Sequence, residues 1–280
     1  SGLAQTLAAG DRVLDILEET PVVEDIQGQK EIKFNDASVN NVSFSYDKEL
    51  ILDNISLTIP KGKIIGITGR SGSGKSTLLK ATISLLSEDA RLVEGDILFK
   101  GQSLRNEDLN NYRGKKIGVI FQNPLTYFDD FHTVEYHFYE TLHYHFNYTK
   151  EKSKEIAISY LKQMGLDESI LQKNPYELSG GMGQRVMIAL VLCLEPELIL
   201  ADEPTSNLDV VCQKEILDLI LSLKKQTTFV FVTHNIQVAK YLGDQLVVIK
   251  DGHIIEQGLK DELFNNPKHE YTQRLVMKGK

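Results

Sequence analysis

The spacing of apolar residues changes period several times along the chain, and each change marks a new element. Over residues 3–19, Leu3, Leu7, Leu14 and Leu17 recur on one face with Gly10 interrupting, which predicts an amphipathic helix that needs a surface to lie on. Two surfaces qualify: the chain's own domain, or the cytoplasmic end of a membrane segment ahead of it. Residues 21–36 are charged and poor in core residues, the pattern of a linker. From Val39 the period drops to two. Val42, Phe44 and Tyr46 share one side of a strand, Ile55, Leu57 and Ile59 share one side of the next, and Pro60-Lys61-Gly62 turns the chain into the apolar run from Ile64 to Thr68. Further strands are predicted over residues 96–99, 117–121, 198–201 and 229–232, and a hairpin joins residues 245–250 to 253–256 about Asp251-Gly252. Helices are predicted after Thr77, over residues 133–165, where Val134, Phe138, Leu142 and Phe146 recur every four positions before a second run from Lys150 to Met164, and again near the C-terminus. Continuous apolar strands alternating with helices predict an α/β fold whose sheet is buried on both faces.

The stretch from Gly69 to Thr77 reads G-R-S-G-S-G-K-S-T and lies between a predicted strand and a predicted helix, the context a phosphate-binding loop requires. Gly69, Gly72 and Gly74, with Ser71 and Ser73 between them, let the backbone curl until successive N–H groups face inward, and the helix beginning near Thr77 adds the partial positive charge of its first turn. Lys75 is placed to reach the β- and γ-phosphates and the Ser76 hydroxyl to bind Mg²⁺. The alternative is a glycine turn before an ordinary helix, and the flanking strand argues against it. Asp202 and Glu203 follow the apolar run Leu198 to Ala201, and His234 follows Phe229 to Thr233. Polar groups at the carboxyl ends of apolar strands lie where open α/β sheets bind ligands. After a phosphate loop, Asp202 suits a second Mg²⁺ contact and Glu203 suits polarising a water; alone, the pair would read as a turn or helix cap. Tyr46 fits either an aromatic strand residue or a platform for a nucleotide base. His132, His137, His143 and His145 crowd one stretch, but no pair has i,i+4 spacing, so no metal site is expected there.

Composition narrows the class. The 280 residues are 41% hydrophobic and carry a net charge of −8, enough for a substantial core and contrary to a broad nucleic-acid surface. Cys193 and Cys212 lack C-x-x-C spacing and read as buried, reduced thiols. The longest apolar run, from Val186 to Leu194, is too short to span a bilayer. The chain opens Ser1-Gly2 without Met, which suggests a cloning scar on a fragment or tagged chain.

From about Asn40 to Gly258 these elements, in this order, resemble the ATP-binding cassette (ABC) ATPases. The resemblance assigns Tyr46 to the adenine-stacking position, Gly69 to Ser76 to the Walker A loop and Gln122 to the Q-loop, where it would bind Mg²⁺ and act as a hinge. It assigns Leu178 to Met182, with Ser179, Gly180 and Gly181, to the signature motif, Asp202 and Glu203 to Walker B and the catalytic glutamate, Ser206 to Asp209 to the D-loop, and His234 to the switch histidine. It implies a P-loop NTPase fold of the ABC type: a mixed sheet core with an antiparallel β subdomain and an inserted α-helical subdomain at about residues 125–185, all within an ATPase domain from residue 37 to 280. It also implies ATP and Mg²⁺ as ligands and a head-to-tail dimer with a second nucleotide-binding domain. Catalysis would use Lys75, Glu203 and His234, the helical insert would transmit movement to a transmembrane permease, fused or separate, and the chain would sit at the cytoplasmic face of the membrane.

The signature departs from the family pattern at Met182, where Gln is usual, and at Gly183, where a charged residue is common. Met182, the segment from Asn174 to Glu177 and the stretch from Asn266 to Thr272 resemble importer ATPases for peptides and nickel, although Glu270 stands where that stretch usually has Pro. Cysteines of the kind that hold an iron-sulfur cluster near the C-terminus are not there. The region from Leu3 to Gly74 looks more like exporters with a fused membrane domain, so exporter stays open beside importer. A non-transport ABC ATPase is a third reading, which the missing long coiled coil and second cassette oppose.

Overall fold

The computed structural model describes residues 36–46, 49–83, 90–105 and 107–278. The helix expected over residues 3–19 and nearly all of the expected linker lie outside them. In chain order the strands are β1 (Asp36–Tyr46), β2 (Glu49–Pro60), β3 (Ile64–Thr68), β4 (Ala90–Phe99), β5 (Gln102–Ser103), β6 (Ile117–Ile120), β7 (Leu198–Asp202), β8 (Thr228–Thr233), β9 (Gln245–Lys250) and β10 (His253–Leu259). The helices are α1 (Lys75–Ala81), α2 (Val134–Phe146), α3 (Lys150–Gln163), α4 (Gly180–Leu192), α5 (Val210–Leu223), α6 (Ile236–Leu242), α7 (Lys260–Asn265) and α8 (Glu270–Lys278). They fall into two compact units, one made of Gln122–Leu194 with Thr205–Leu223 and one made of the other described residues.

The second unit holds both sheets. A four-stranded antiparallel sheet has the order β2-β1-β4-β5, and a six-stranded sheet has the order β10-β9-β3-β8-β7-β6. In the larger sheet β3 runs parallel to β8 and β9, and β7 runs parallel to β8 and β6, with β10 alone antiparallel. Every residue of β3, β7 and β8 is buried, the reason these strands read as continuous apolar runs. In the smaller sheet Val39 and Val42 are both buried despite their odd spacing. The register shifts between them, and Asn41, at φ +50° and hydrogen-bonded through Nδ2 to Asn54 Oδ1 at 2.8 Å, absorbs the extra residue as a bulge. Strand β4 is longer than the apolar pattern shows. Its first five residues are exposed or half-buried; they pair with β1, and Ala90 and Leu92 pack against the core, too short a stripe to read as a strand.

The first unit is helical. Thr133 and Thr149 cap α2 and α3 with their hydroxyls, accepting from the N–H groups of Tyr136 at 3.4 Å and Lys152 at 3.3 Å. Val134, Phe138 and Leu142 are buried along one stripe of α2, and Ala157 and Leu161 are buried on α3, which packs against α2. His137 belongs to this packing: its ring meets Phe128 edge-on and its Nε2 lies 3.1 Å from the Asp129 carbonyl. Cys193 is buried as expected, but Cys212 is only half-buried on the first turn of α5. The flanking Gln213, Lys214 and Glu215 make this the polar edge of an amphipathic helix, so the expectation of two buried thiols holds for one.

Phe231, in the middle of β8, is fully buried. Truncation to Ala removes a ring that the rigid sheet cannot replace, so Phe231→Ala is expected to lower unfolding free energy by about 3–5 kcal/mol in urea denaturation. A loss under about 1 kcal/mol would mean the sheet core is not packed as described.

Candidate functional site

Three parallel neighbours in the larger sheet deliver the polar groups. The loop from Gly69 to Gly74 leaves the end of β3, Asp202 and Glu203 stand at the end of β7, and His234 follows β8. Because the strands run the same way, their carboxyl ends converge on one edge, as open α/β sheets require.

The loop closes on itself. Ser73 donates its N–H to Arg70 O at 3.2 Å, Gly72 and Gly74 adopt φ of +81° and +96°, and Leu78 donates to Gly74 O at 2.9 Å to start α1. Lys75 is buried, and its Nζ donates to the carbonyls of Gly69 and Arg70, each at 2.8 Å. Burial lowers its pKa from the usual lysine value, while the charges of Glu203 and Asp202 pull it back up. Ser71 is exposed at the loop's tip, and Thr77 is half-buried in α1.

Ser76 Oγ donates to Asp202 Oδ1 at 2.8 Å. Burial pushes the Asp202 carboxyl above the ordinary carboxylate range, with the Ser76 hydroxyl and the charges of Lys80 and Lys75 working against that rise. A hydroxyl and a buried carboxylate this close are hard oxygen donors of the kind Mg²⁺ takes, and they would supply about two of its six positions. The neighbouring Glu203 has φ +46°, its N–H donates to Val232 O at 3.0 Å, and its Oε1 lies 2.8 Å from His234 Nδ1. A glutamate in the left-handed region costs about 1–2 kcal/mol. Here it turns the carboxylate toward the exposed His234. Sequence reasoning found both residues but not the backbone twist that pairs them. Tyr46 lies half-buried at the end of β1, in register with Glu49 and Ala90.

The remaining expected residues belong to the helical unit. Gln122 is exposed at its start. Ser179 caps α4, its Oγ accepting from the Met182 N–H at 3.3 Å, so Gly180, Gly181 and Met182 form the first helical turn. At the departure, Gly183, a Cβ would sit 2.5 Å from Leu125 Cδ2, so a larger residue there would have to displace the Leu125 side chain. Glu177 Oε2 accepts the Asn174 N–H at 2.7 Å, closing the short turn before the signature. Asp209 caps α5, accepting from the Val211 and Cys212 N–H groups at 3.1 and 3.0 Å. Hydrogen bonds from the Cys212 thiol and N–H hold its carboxyl below the usual range. Asn207, at φ +63°, donates through Nδ2 to Asn123 Oδ1 at 3.2 Å.

Comparison with known proteins agrees with this geometry. The ABC transporter family matches residues 52–206. The oligopeptide transport ATP-binding protein AmiE of Streptococcus pneumoniae is 36% identical over 230 residues, which is 79% of this chain and 65% of AmiE, so the match spans just under two thirds of that relative. The metal-staphylopine import system ATP-binding protein CntD of Staphylococcus aureus is 39% identical over 238 residues, 82% of this chain and 87% of CntD. Among solved structures, a dimer of the cassette MJ0796 in a post-hydrolysis state bound to ADP and Pi aligns with TM-score 0.71 and 31% identity over 80% of this chain and 98% of that one. The cbiO1 protein of Clostridium perfringens, part of the cbiONQ transporter complex, aligns with TM-score 0.72 and 26% identity over 88% of this chain and 98% of that one. With a phosphate loop, an acidic pair and a histidine on one sheet edge, a family match over more than half its length and the fold of the ATPase cassettes, the chain belongs to the ABC transporter family.

Proposed function

We propose that the chain is the ATP-hydrolysing subunit or domain of an ABC transporter, bound to a membrane permease at the cytoplasmic face, and that it serves import. The observation that carries the catalytic reading is the pairing of Ser76 with Asp202 and of Glu203 with His234, each at 2.8 Å, beside a buried Lys75. In this reading the N–H groups of the loop from Gly69 to Gly74, with Ser71 and Ser73, surround the phosphates, Lys75 and Thr77 secure them, and Tyr46 stacks on the base. Ser76 and Asp202 hold Mg²⁺, which supplies positive charge against the phosphate oxygens. Glu203 accepts a proton from the attacking water, and His234 orients the carboxylate and the γ-phosphate. The capped turn from Ser179 to Met182 faces the ATP of a second copy, with Asp209 fixing the segment beside it. The division expected from the sequence, an ATPase domain over residues 37–280 with a helical insert at about 125–185, belongs to the same proposal. Import is favoured by Met182, by the segment from Asn174 to Glu177 and by the named roles of AmiE and CntD.

Replacing Glu203 with Gln removes the base and keeps the shape. Steady-state phosphate release is expected to fall about 10²–10⁴-fold, while ATP still drives the variant to a larger species in size-exclusion chromatography. Turnover within tenfold of the parent would assign the base elsewhere.

Asp202 carries a pH signature. Its folded pKa is raised, so its ionised form costs stability above that pKa, and the cost fades as pH falls through the folded value and is gone below the unfolded one. Asp202→Asn is therefore expected to melt no lower than the parent at about pH 8, with any gain shrinking toward about pH 4, while Mg²⁺-dependent turnover is lost. A variant several degrees less stable at the higher pH would contradict the burial cost.

A further inference from the structure

The C-terminal segment from Asn266 to Thr272 has no part in the reaction described above, yet one of its residues touches the phosphate loop. Tyr271, near the start of α8, accepts the Arg70 N–H on its hydroxyl at 2.9 Å, across 201 positions of chain. Arg70 N–H and Gly69 C=O belong to the same peptide unit. A trans peptide points these two groups in opposite directions, and the described residues contain no cis bond. The plane is held at both ends: Lys75 Nζ bonds to the Gly69 carbonyl at 2.8 Å, and the Tyr271 hydroxyl bonds to the Arg70 N–H.

The joint has little stiffness of its own. Gly69 has φ +155° and no Cβ, so its backbone does little to fix the plane that follows. Tyr271, by contrast, is firmly seated. Its N–H donates to His269 Nδ1 at 3.0 Å, its ring lies 5.7 Å from Lys250 Nζ, and Thr272 beside it is fully buried. Glu256, on β10, accepts the N–H groups of Lys268 at 2.8 Å and His269 at 3.0 Å and fastens the segment to the sheet. Burial pushes the Glu256 carboxyl up, but those backbone donors hold it below its usual range.

We propose that Tyr271 is a positioning residue for nucleotide binding: by pinning the peptide between Gly69 and Arg70 from outside the loop, it fixes the carbonyl that places the Lys75 ammonium for the β- and γ-phosphates. This rests on the ATPase reading of the loop. A cavity of about 480 Å³ opens beside the bond, lined by Arg70, Lys250, Tyr271, Arg274 and Lys278. Water there can take over the N–H when the hydroxyl is removed, so the expected effect is moderate and not total.

The test is Tyr271→Phe, which keeps the ring and its packing, with ATP and AMP affinities measured by calorimetric titration alongside the melting temperature. The expected result is ATP affinity about fivefold weaker, AMP affinity unchanged because AMP lacks the phosphates Lys75 reaches, and melting within two degrees of the parent. Glu256→Ala, which loosens the seat of Tyr271, is expected to weaken ATP in the same way, and the double variant to add nothing further. Equal ATP binding by parent and Tyr271→Phe overturns the proposal, as does an equal loss for ATP and AMP, which would mark a general loosening of the site. A parent that binds no ATP overturns the ATPase reading itself.

Discussion

The Gly69 backbone runs so close to β9 that a Cβ there would sit 2.1 Å from the Ile249 carbonyl oxygen. No side chain fits such a gap. That contact brings the start of the phosphate loop under the end of a neighbouring strand, and other features of the loop follow from it. The turn of the hairpin between β9 and β10 donates the Gly252 N–H to Ser73 O at 3.2 Å, so loop and hairpin hold one another. The carbonyls of Gly69 and Arg70, turned inward by the same curl, meet the Lys75 ammonium. An anion-binding loop needs this kind of rigidity, because backbone N–H groups stabilise phosphate charge only where they do not have to reorganise first.

The charges at the sheet edge are held in tension. Lys75 and Asp202 are both buried, and burial disfavours the ionised form of each, lowering one pKa and raising the other. Their attraction offsets part of that cost, as does the Ser76 hydroxyl. Under the proposed function, a polyphosphate with its counter-ion would give both groups stronger partners than they have in each other. Glu203 adds a second tension through its left-handed backbone, a strain that persists because the Val232 carbonyl and His234 over-determine it.

Much of this was legible in the amino-acid sequence. The period-two runs gave β1 and β2, the continuous apolar runs gave β3, β7 and β8, and the motif order placed Lys75, Asp202, Glu203 and His234 on one edge. Legibility failed where the cause is not local. The first half of β4 offers only Ala90 and Leu92 to the core, too short a stripe to mark a strand, and the bulge at Asn41 breaks the alternation that would have placed Val39 and Val42 together. The Gly183 departure reads as a change in the signature, and the Leu125 side chain that packs against it lies far off in sequence. Cys212, without C-x-x-C spacing, read as a buried thiol, while the helix turns it partly outward. The stretch ending in Thr272 was visible as a motif, but the bond from Tyr271 to Arg70 spans most of the chain, and no local pattern reports it.

The proposed function depends on one capability, that the Gly69 to Thr77 loop holds a triphosphate through Lys75. Calorimetric titration of ATP with Mg²⁺ into the parent and into Lys75→Ala measures it most directly. Saturable binding to the parent that is lost or weakened by about 10² or more in the variant is the predicted result. A parent that binds no ATP, or a variant that binds it equally well, would contradict the account.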